Sequence, residues 1–377
     1  MKYIHIISLF FCTAFCIRAQ TVTELYNSKK YEELVKQDNY KGTLTADELY
    51  MVGFAWYRLE NDDKAIEYYN KAIDKGLDDG PVHFYKGLSL RYKKDYEQAL
   101  KEIEVSLKWE PDNQEYMNEK GMIYFDQKKF DKALEIFLQA EKLPQTFPEP
   151  YYWVARIYQE NKEYDKALAG YYEALKALPR TNTYYVSSLS CIGQLEYSVS
   201  KNYAKSAKAY TQALLIEPEE YELSYGLIKA LNAEKEYNRA DSLFSIIKIA
   251  FEKGKLPKED MQIKTIEYAQ FEWNGQVAKI NRSLVTPKKS LDVTYKIFLL
   301  NKAHDKVERR FVVEKTTPIG KDDANYLLCE NDKKTGDHIT YPYGWKEEII
   351  TPADLEYAVK LVLEGKLKMG ASLNFVK

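Results

Sequence analysis

The sequence predicts a mainly α protein, a stacked array of helix-turn-helix repeats followed by a small α+β region, and three observations carry that reading. Gly53, Gly87, Gly121 and Ala155 fall 34 residues apart, and Ala65, Ala99, Ala133 and Ala167 keep the same step. A period of this length marks a stacked repeat protein. Each period also holds an apolar helix pattern, a polar turn such as KKDYEQAL or QKKFDKAL and a second helix pattern, and three of the four close near Pro111, Pro144 or Pro179. Beyond Gly275 the helical period gives way to alternating apolar and polar runs bounded by turn residues, which is the pattern of strands.

The repeated positions have a steric logic. Where the two helices of a hairpin cross closely only glycine or alanine fits, and a bulky residue one turn away fills the space between hairpins. Tyr69, Phe137 and Tyr171 hold the bulky position, with Ile103 in the second unit, and the small Ala72, Ser106, Ala140 and Ala174 follow three residues later. With both small-residue columns in phase over four units and a closing proline near the end of three of them, the chain resembles the tetratricopeptide repeat family. That resemblance implies an α-solenoid of helical hairpins over roughly residues 30 to 250.

The elements follow in order. Residues 1–19 begin with Lys2, run apolar from Ile4 to Phe15 and end in the small Ala19, so they are expected to be a secretory signal peptide. A lipoprotein signal would need a small residue before its cysteine, and Phe11 and Phe15 precede Cys12 and Cys16. Residues 20–45 carry a shortened, out-of-phase unit expected to cap the array. Four in-phase units span 46–179. After Pro179 the phase slips, because Ser206 follows Ala167 by 39 residues before Ala240 restores the step of 34. Two looser units are therefore expected over 180–254, with the extra residues in a loop. LPKEDMQIKTIEYAQFEW, which starts at Leu256, reads as a linking helix opened by Pro257 and assigned to 255–272. Residues 273–377 are expected to form a small, mainly antiparallel α+β domain, with one helix opened by Thr351 and Pro352 and stopped at Gly365.

Charge excludes one class of partner. Residues 20–261 hold 34 basic against 41 acidic side chains, and 262–377 hold 19 against 16. Neither part carries the strongly basic surface a nucleic-acid binder needs. No apolar run after residue 19 is long enough to cross a membrane, so the mature chain is expected in an extracytoplasmic compartment, periplasmic or associated with the outer envelope. Cys191 and Cys329 then remain, too few for a disulfide framework and expected to be buried, inert thiols.

Catalytic motifs are absent: there is no P-loop, no strand-linked GxGxxG, no HExxH and no GxSxG. His83, His304 and His338 share no i, i+4 spacing that could seat a metal. No cofactor, metal or catalytic residue is therefore assigned. His338, Tyr341, Tyr343 and Trp345 cluster within HITYPYGW, a pattern that fits an aromatic strand end better than a catalytic site.

The resemblance also implies a groove lined by the first helix of each unit, which in the family often holds an extended peptide. The matching positions are Tyr50, Phe54 and Tyr57; Phe84, Leu88 and Arg91; Asn118, Met122 and Phe125; Tyr152, Arg156 and Gln159. Some family members grip a C-terminal carboxylate there with lysine, asparagine and arginine. The corresponding places here hold Tyr50, Phe54, Tyr85, Glu115 and Glu119, so that clamp is missing and a chaperone-tail receptor is disfavoured. The function expected is a non-enzymatic scaffold of the bacterial cell envelope that binds a protein or peptide partner. The alternative is a carbohydrate or small-ligand binding protein with Trp56, Trp109, Trp153, Trp273 or Trp345 as stacking platforms.

Overall fold

The computed structural model describes residues 21–36, 44–144, 147–256, 265–285, 292–316, 325–331, 338–367 and 374–376. The expected signal peptide lies outside them, as does the stretch 257–264. The chain divides into two compact units, residues 1–157 and 158–377.

The first unit is helical throughout its described residues. Its helices are α1 (Val22–Asn27), α2 (Tyr31–Lys36), α3 (Ala46–Arg58), α4 (Asp62–Asp74), α5 (Gly80–Tyr92), α6 (Tyr96–Trp109), α7 (Gln114–Asp126), α8 (Phe130–Glu141) and most of α9 (Glu149–Glu160). Local chemistry sets the boundaries. Thr45 opens α3 with a reciprocal capping box to Glu48, and Asn61 and Asp95 cap α4 and α6 by accepting from the backbone N–H of Lys64 and Gln98. Each turn between the helices of a hairpin carries one residue in the left-handed region, at Glu60, Lys94 and Lys128. Their spacing is again 34 residues.

The small-residue columns do what their spacing implies. A Cβ on Gly121 would sit 2.5 Å from the Phe137 ring, and one on Gly53 would sit 2.8 Å from the Tyr69 ring. Both rings are fully buried. Fully burying such a ring is worth roughly 1.5–3 kcal/mol, and the missing side chain is what lets the ring in. The buried apolar residues of this unit gather into separate small clusters, one around Leu25, Leu34 and Val52, another around Tyr69, Ala72 and Val82, and a third around Phe84, Ile103 and Ile123. Each hairpin thus buries its apolar stripe against its neighbours in sequence.

The second unit starts in the same style with α10 (Tyr164–Ala177), α11 (Thr183–Ser198), α12 (Tyr203–Leu214), α13 (Tyr221–Ala233) and α14 (Tyr237–Glu252). Its left-handed turn residues are Lys162, Lys201 and Lys235, so the slip of five residues is visible in the backbone. Most of the extra residues lengthen a helix instead of forming the expected loop: α11 has 16 residues where α3, α5 and α7 have 13.

Among the described residues seven strands follow: β1 (Thr265–Trp273), β2 (Gln276–Val285), β3 (Asp292–Leu300), β4 (Val307–Thr316), β5 (Asn325–Asn331), β6 (His338–Trp345) and β7 (Asn374–Val376), with α15 (Pro352–Leu363) between the last two. They form one sheet in sequence order, antiparallel from β1 to β6. Strand β7 pairs parallel with β6 because α15 supplies the crossover that a parallel pair requires.

Two expectations are corrected here. The helix expected over 255–272 is, from Thr265 onward, strand β1. Its buried residues are Ile266, Tyr268 and Phe271, and a register shift between Glu267 and Ala269 breaks the alternation. A spacing of two then three imitates a loose helical stripe. Nor do residues 273–377 stand apart as their own domain. The inner face of the sheet, α15 and α11 to α14 share a single core that runs from Leu189, Leu227 and Phe244 through Tyr295, Phe311 and Leu328 to Leu355 and Val359. At its centre the fully buried Arg282 lies between the rings of Phe244 and Tyr268, 4.1 Å from each centroid, and is ion-paired with Asp241 of α14. A buried guanidinium needs such a partner. This one ties the last helical hairpin to β2. Cys191 and Cys329 are both buried and not bridged.

Candidate functional site

In the first unit the first helices of consecutive hairpins approach one another, α3 against α5 and α5 against α7. There the aromatic side chains form one connected surface. Phe54 of α3 meets Tyr26 at 5.4 Å, Tyr31 at 6.0 Å, Tyr57 at 6.1 Å and Tyr85 at 4.9 Å between ring centroids. Tyr50 and Tyr57 each reach Tyr85 in turn, at 6.2 and 5.6 Å, and Tyr57 reaches the exposed Tyr92 at 6.3 Å. Such edge-on and tilted pairs are the favoured aromatic geometries. Tyr50, Phe54, Tyr57 and Tyr85 are half-buried, so they present one side to solvent.

Two open depressions flank this surface. One, of about 500 Å³, is lined by Tyr57, Arg58, Glu60, Asp62 and Tyr92. The other, of about 540 Å³, includes Thr45, Glu48, Tyr50, Met51 and Asp79. Burial, reinforced by neighbouring phenols, pushes Tyr50 and Tyr57 above the usual tyrosine range. Burial does the same for Tyr85. These side chains therefore offer neutral hydroxyls and ring faces, which recognise apolar and hydrogen-bonding groups and do not supply a nucleophile.

The remaining groove positions divide. Phe84, Leu88, Asn118 and Tyr152 are buried and serve packing more than display. Met122 and Phe125 are half-buried, with Phe125 against Phe130 at 5.4 Å and Trp153 at 5.1 Å. Arg156 is half-buried. Gln159 belongs to the second unit, where it accepts a 2.7 Å hydrogen bond from the Tyr171 hydroxyl. Arg91 is engaged: its Nε is bonded to Glu119 and its Nη1 lies 2.9 Å from Asp126. Burial pushes Glu119 up to about 7 against the pull of Arg91.

Sequence reasoning missed Tyr26, Tyr31 and Tyr92 as members of the surface. The first two sit in the short α1 and α2, which lack the register of the later units and so gave no column to align them to.

Other candidates separate in space. Within HITYPYGW, Tyr341, Tyr343 and Trp345 point into the shared core, while His338 and Thr340 lie on the opposite, outer face of the sheet. Alternation along the strand prevents them from converging on one site. Of the five tryptophans, Trp345 is buried and Trp109 stands mostly exposed on α6. Burial pushes the Cys329 thiol up to about 11, so it is not a nucleophile at neutral pH. Its neighbours on the outer face are Glu314 and His338.

With this geometry in place, comparison with known proteins gives the class. Residues 86–146 and 148–179 match models of the tetratricopeptide repeat. The chain thus carries tetratricopeptide repeats, followed by an antiparallel sheet. It is 29% identical over 103 residues to a Hsp70-Hsp90 organising protein of Plasmodium falciparum, a match covering 26% of this chain and 18% of that protein. It is 25% identical over 124 residues to Hsp70-Hsp90 organizing protein 3 of Arabidopsis thaliana, covering 32% of this chain and 22% of that one. The chain therefore spans about a fifth of the length of the curated relatives it matches. Among solved structures it is similar to the C-terminal part of a TPR repeat-containing protein from Cytophaga hutchinsonii, at 16% identity and a TM-score of 0.48, covering 59% of this chain and 92% of that one. Among the described residues no helix is long and apolar enough to cross a membrane.

Proposed function

We propose that this chain is a non-enzymatic interaction scaffold of the bacterial cell envelope that holds a peptide segment of a partner protein against the concave aromatic surface of its first unit. The observation that carries the reading is the set of joined rings around Phe54, half-buried and facing solvent. Contiguous aromatic surface of this kind marks interaction sites. The envelope location rests on the signal-like pattern of residues 1–19.

The relatives are named for organising Hsp70 and Hsp90, but the carboxylate clamp positions differ in this chain. Tyr50, Phe54, Tyr85, Glu115 and Glu119 replace the expected cations and amides. Arg91 is held by Glu119 and Asp126. The segment recognised is therefore internal and apolar or aromatic in character, not a chain terminus.

The test is affinity capture from envelope fractions with the mature chain beside a variant carrying Phe54→Ala, Tyr57→Ala and Tyr85→Ala. The proposal expects a partner retained by the parent and lost by a variant whose helical circular dichroism is unchanged. Equal capture by both would move binding away from this surface.

A further inference from the structure

On the outer face of the sheet, turned away from the shared core, three side chains of different ligand chemistry come together from three adjacent strands. Glu314 of β4, Cys329 of β5 and His338 of β6 each bring one donor atom, and the three atoms lie within 4.8 Å of one another. Sheet register assembles them. Cys329 stands opposite Thr340 in the β5–β6 pair, and His338 stands opposite Asn331 at the open end of the same hairpin. Glu314 stands opposite Leu327, two positions from Cys329 on the same face.

The imidazole is oriented. Its Nδ1 lies 2.8 Å from Asn331 Oδ1, which accepts Nδ1–H, so Nε2 is the ring atom turned to the Glu314 carboxylate. Nε2 and Glu314 Oε2 are 3.3 Å apart. That contact can be met by an Nε2–H proton or by a metal ion shared between the nitrogen and the carboxylate oxygen. In a tetrahedral zinc site, with Zn–N and Zn–O bonds near 2.0–2.2 Å, nitrogen and oxygen ligands are separated by about 3.3 Å. The thiol completes the set from below: Cys329 is buried, whereas the side chains of His338 and Glu314 are 43% and 44% exposed. Drawing its sulfur into zinc-ligand range needs a shift of about 1 Å.

We propose that Glu314, Cys329 and His338 form a binding site for a zinc-type divalent transition-metal ion, with Asn331 as the residue that orients His338. Sulfur, imidazole nitrogen and carboxylate oxygen together select zinc or cobalt over the hard magnesium and calcium ions, which take oxygen ligands. A hydrogen-bond partner on the second ring nitrogen is what a metal-ligating histidine uses to fix its tautomer. The exposed side of the triad leaves the fourth position to water or to a ligand from outside.

Titration of the purified full-length chain with cobalt(II) alone, followed by displacement with zinc(II), tests this. One equivalent of cobalt is expected to give a thiolate-to-cobalt charge-transfer band with the visible spectrum of a tetrahedral ion. Cys329→Ser should abolish the band, and His338→Ala, at a half-exposed position that does not support the core, should weaken binding strongly while strand circular dichroism is kept. Asn331→Ala should weaken it by at least about tenfold, the usual scale for such partners. His83→Ala should leave it unchanged. Absence of the charge-transfer band in the parent chain overturns the proposal. Cobalt binding of equal strength in the His338→Ala variant overturns it as well.

Discussion

Residues 1–157 and 158–377 begin from the same repeat signature and use it differently. In the first unit each hairpin fills the gap to its neighbour with a small cluster of its own, such as the one around Tyr69 or the one around Ile103. In the second, two hairpins, a seven-stranded sheet and α15 share one core. A repeat array has a structural obligation at its end, because the last apolar face has no further repeat to cover it. Here the sheet covers it, and Arg282 between Phe244 and Tyr268 fastens the cover. The first unit, free of that task, keeps an aromatic surface half open.

The largest effect should come from breaking the fastening. Asp241→Ala leaves Arg282 as an uncompensated buried charge and should cost about 3–5 kcal/mol. Because helices and strands share a core there, helical and strand signals of the second unit should be lost together in a thermal scan by circular dichroism. Separate loss of the sheet, with α13 and α14 intact, would show that the shared core is not one cooperative body.

A smaller and more local effect should follow in the first unit. Gly121→Ala pushes a methyl into the Phe137 ring and should cost about 1–3 kcal/mol, the usual price of overpacking. Hydrogen exchange should then quicken in α7 and α8 while β1 to β6 keep their protection. Equal change in both would contradict the nearest-neighbour character of the first unit.

The pH dependence should also belong to the first unit. Burial pulls the His83 imidazole down, but Glu102 Oε2 at 2.6 Å and Asp78 Oδ1 at 2.8 Å outweigh it and hold its pKa above the usual range. A histidine raised in the folded state stabilises fully below its unfolded value of about 6.5, and that contribution is lost as pH rises through the folded value. Glu102 resists burial through His83 and Lys86 and is lowered, so its contribution is present above the usual carboxylate range and lost on acidification. Melting of the first unit should therefore be highest between those limits and decline through and above neutrality. His83→Gln should flatten the decline; an unchanged profile would remove His83 as its cause.

The smallest effect concerns the turns. Lys128 is left-handed with φ of 58°, a conformation that costs an ordinary residue roughly 1–2 kcal/mol and glycine almost nothing. After glycine's larger unfolded-state entropy is taken into account, Lys128→Gly should change the melting temperature little or raise it. Lys128→Val should lower it.

How much of this was legible depended on the distance over which each signal acts. The hairpins were readable because Gly53 and Tyr69, or Gly121 and Phe137, are 16 residues apart in every copy, so a steric relation in space became a period in sequence. Strands β2 to β6 were readable from alternation. Strand β1 was not, because its bulge at Glu267 breaks the period of two. The groove columns located Tyr50, Phe54 and Tyr57 but not Tyr26 or Tyr31, which join them only through tertiary contact. Glu314, Cys329 and His338 had no visible relation at all. Strand register alone makes them neighbours, and register is set by turns and core faces that spacing does not encode.

The most direct test of the proposed binding role compares the two units within one molecule. A photoreactive phenylalanine analogue is placed at Tyr57, on the aromatic surface of the first unit, or at Tyr357, on α15 of the second, where the ring is 57% exposed. The chain is then irradiated in cells. The account predicts a partner adduct from position 57 that disappears when Phe54→Ala and Tyr85→Ala are added, and none from position 357. An adduct from position 357 with none from position 57 would contradict it and transfer the binding role to the second unit.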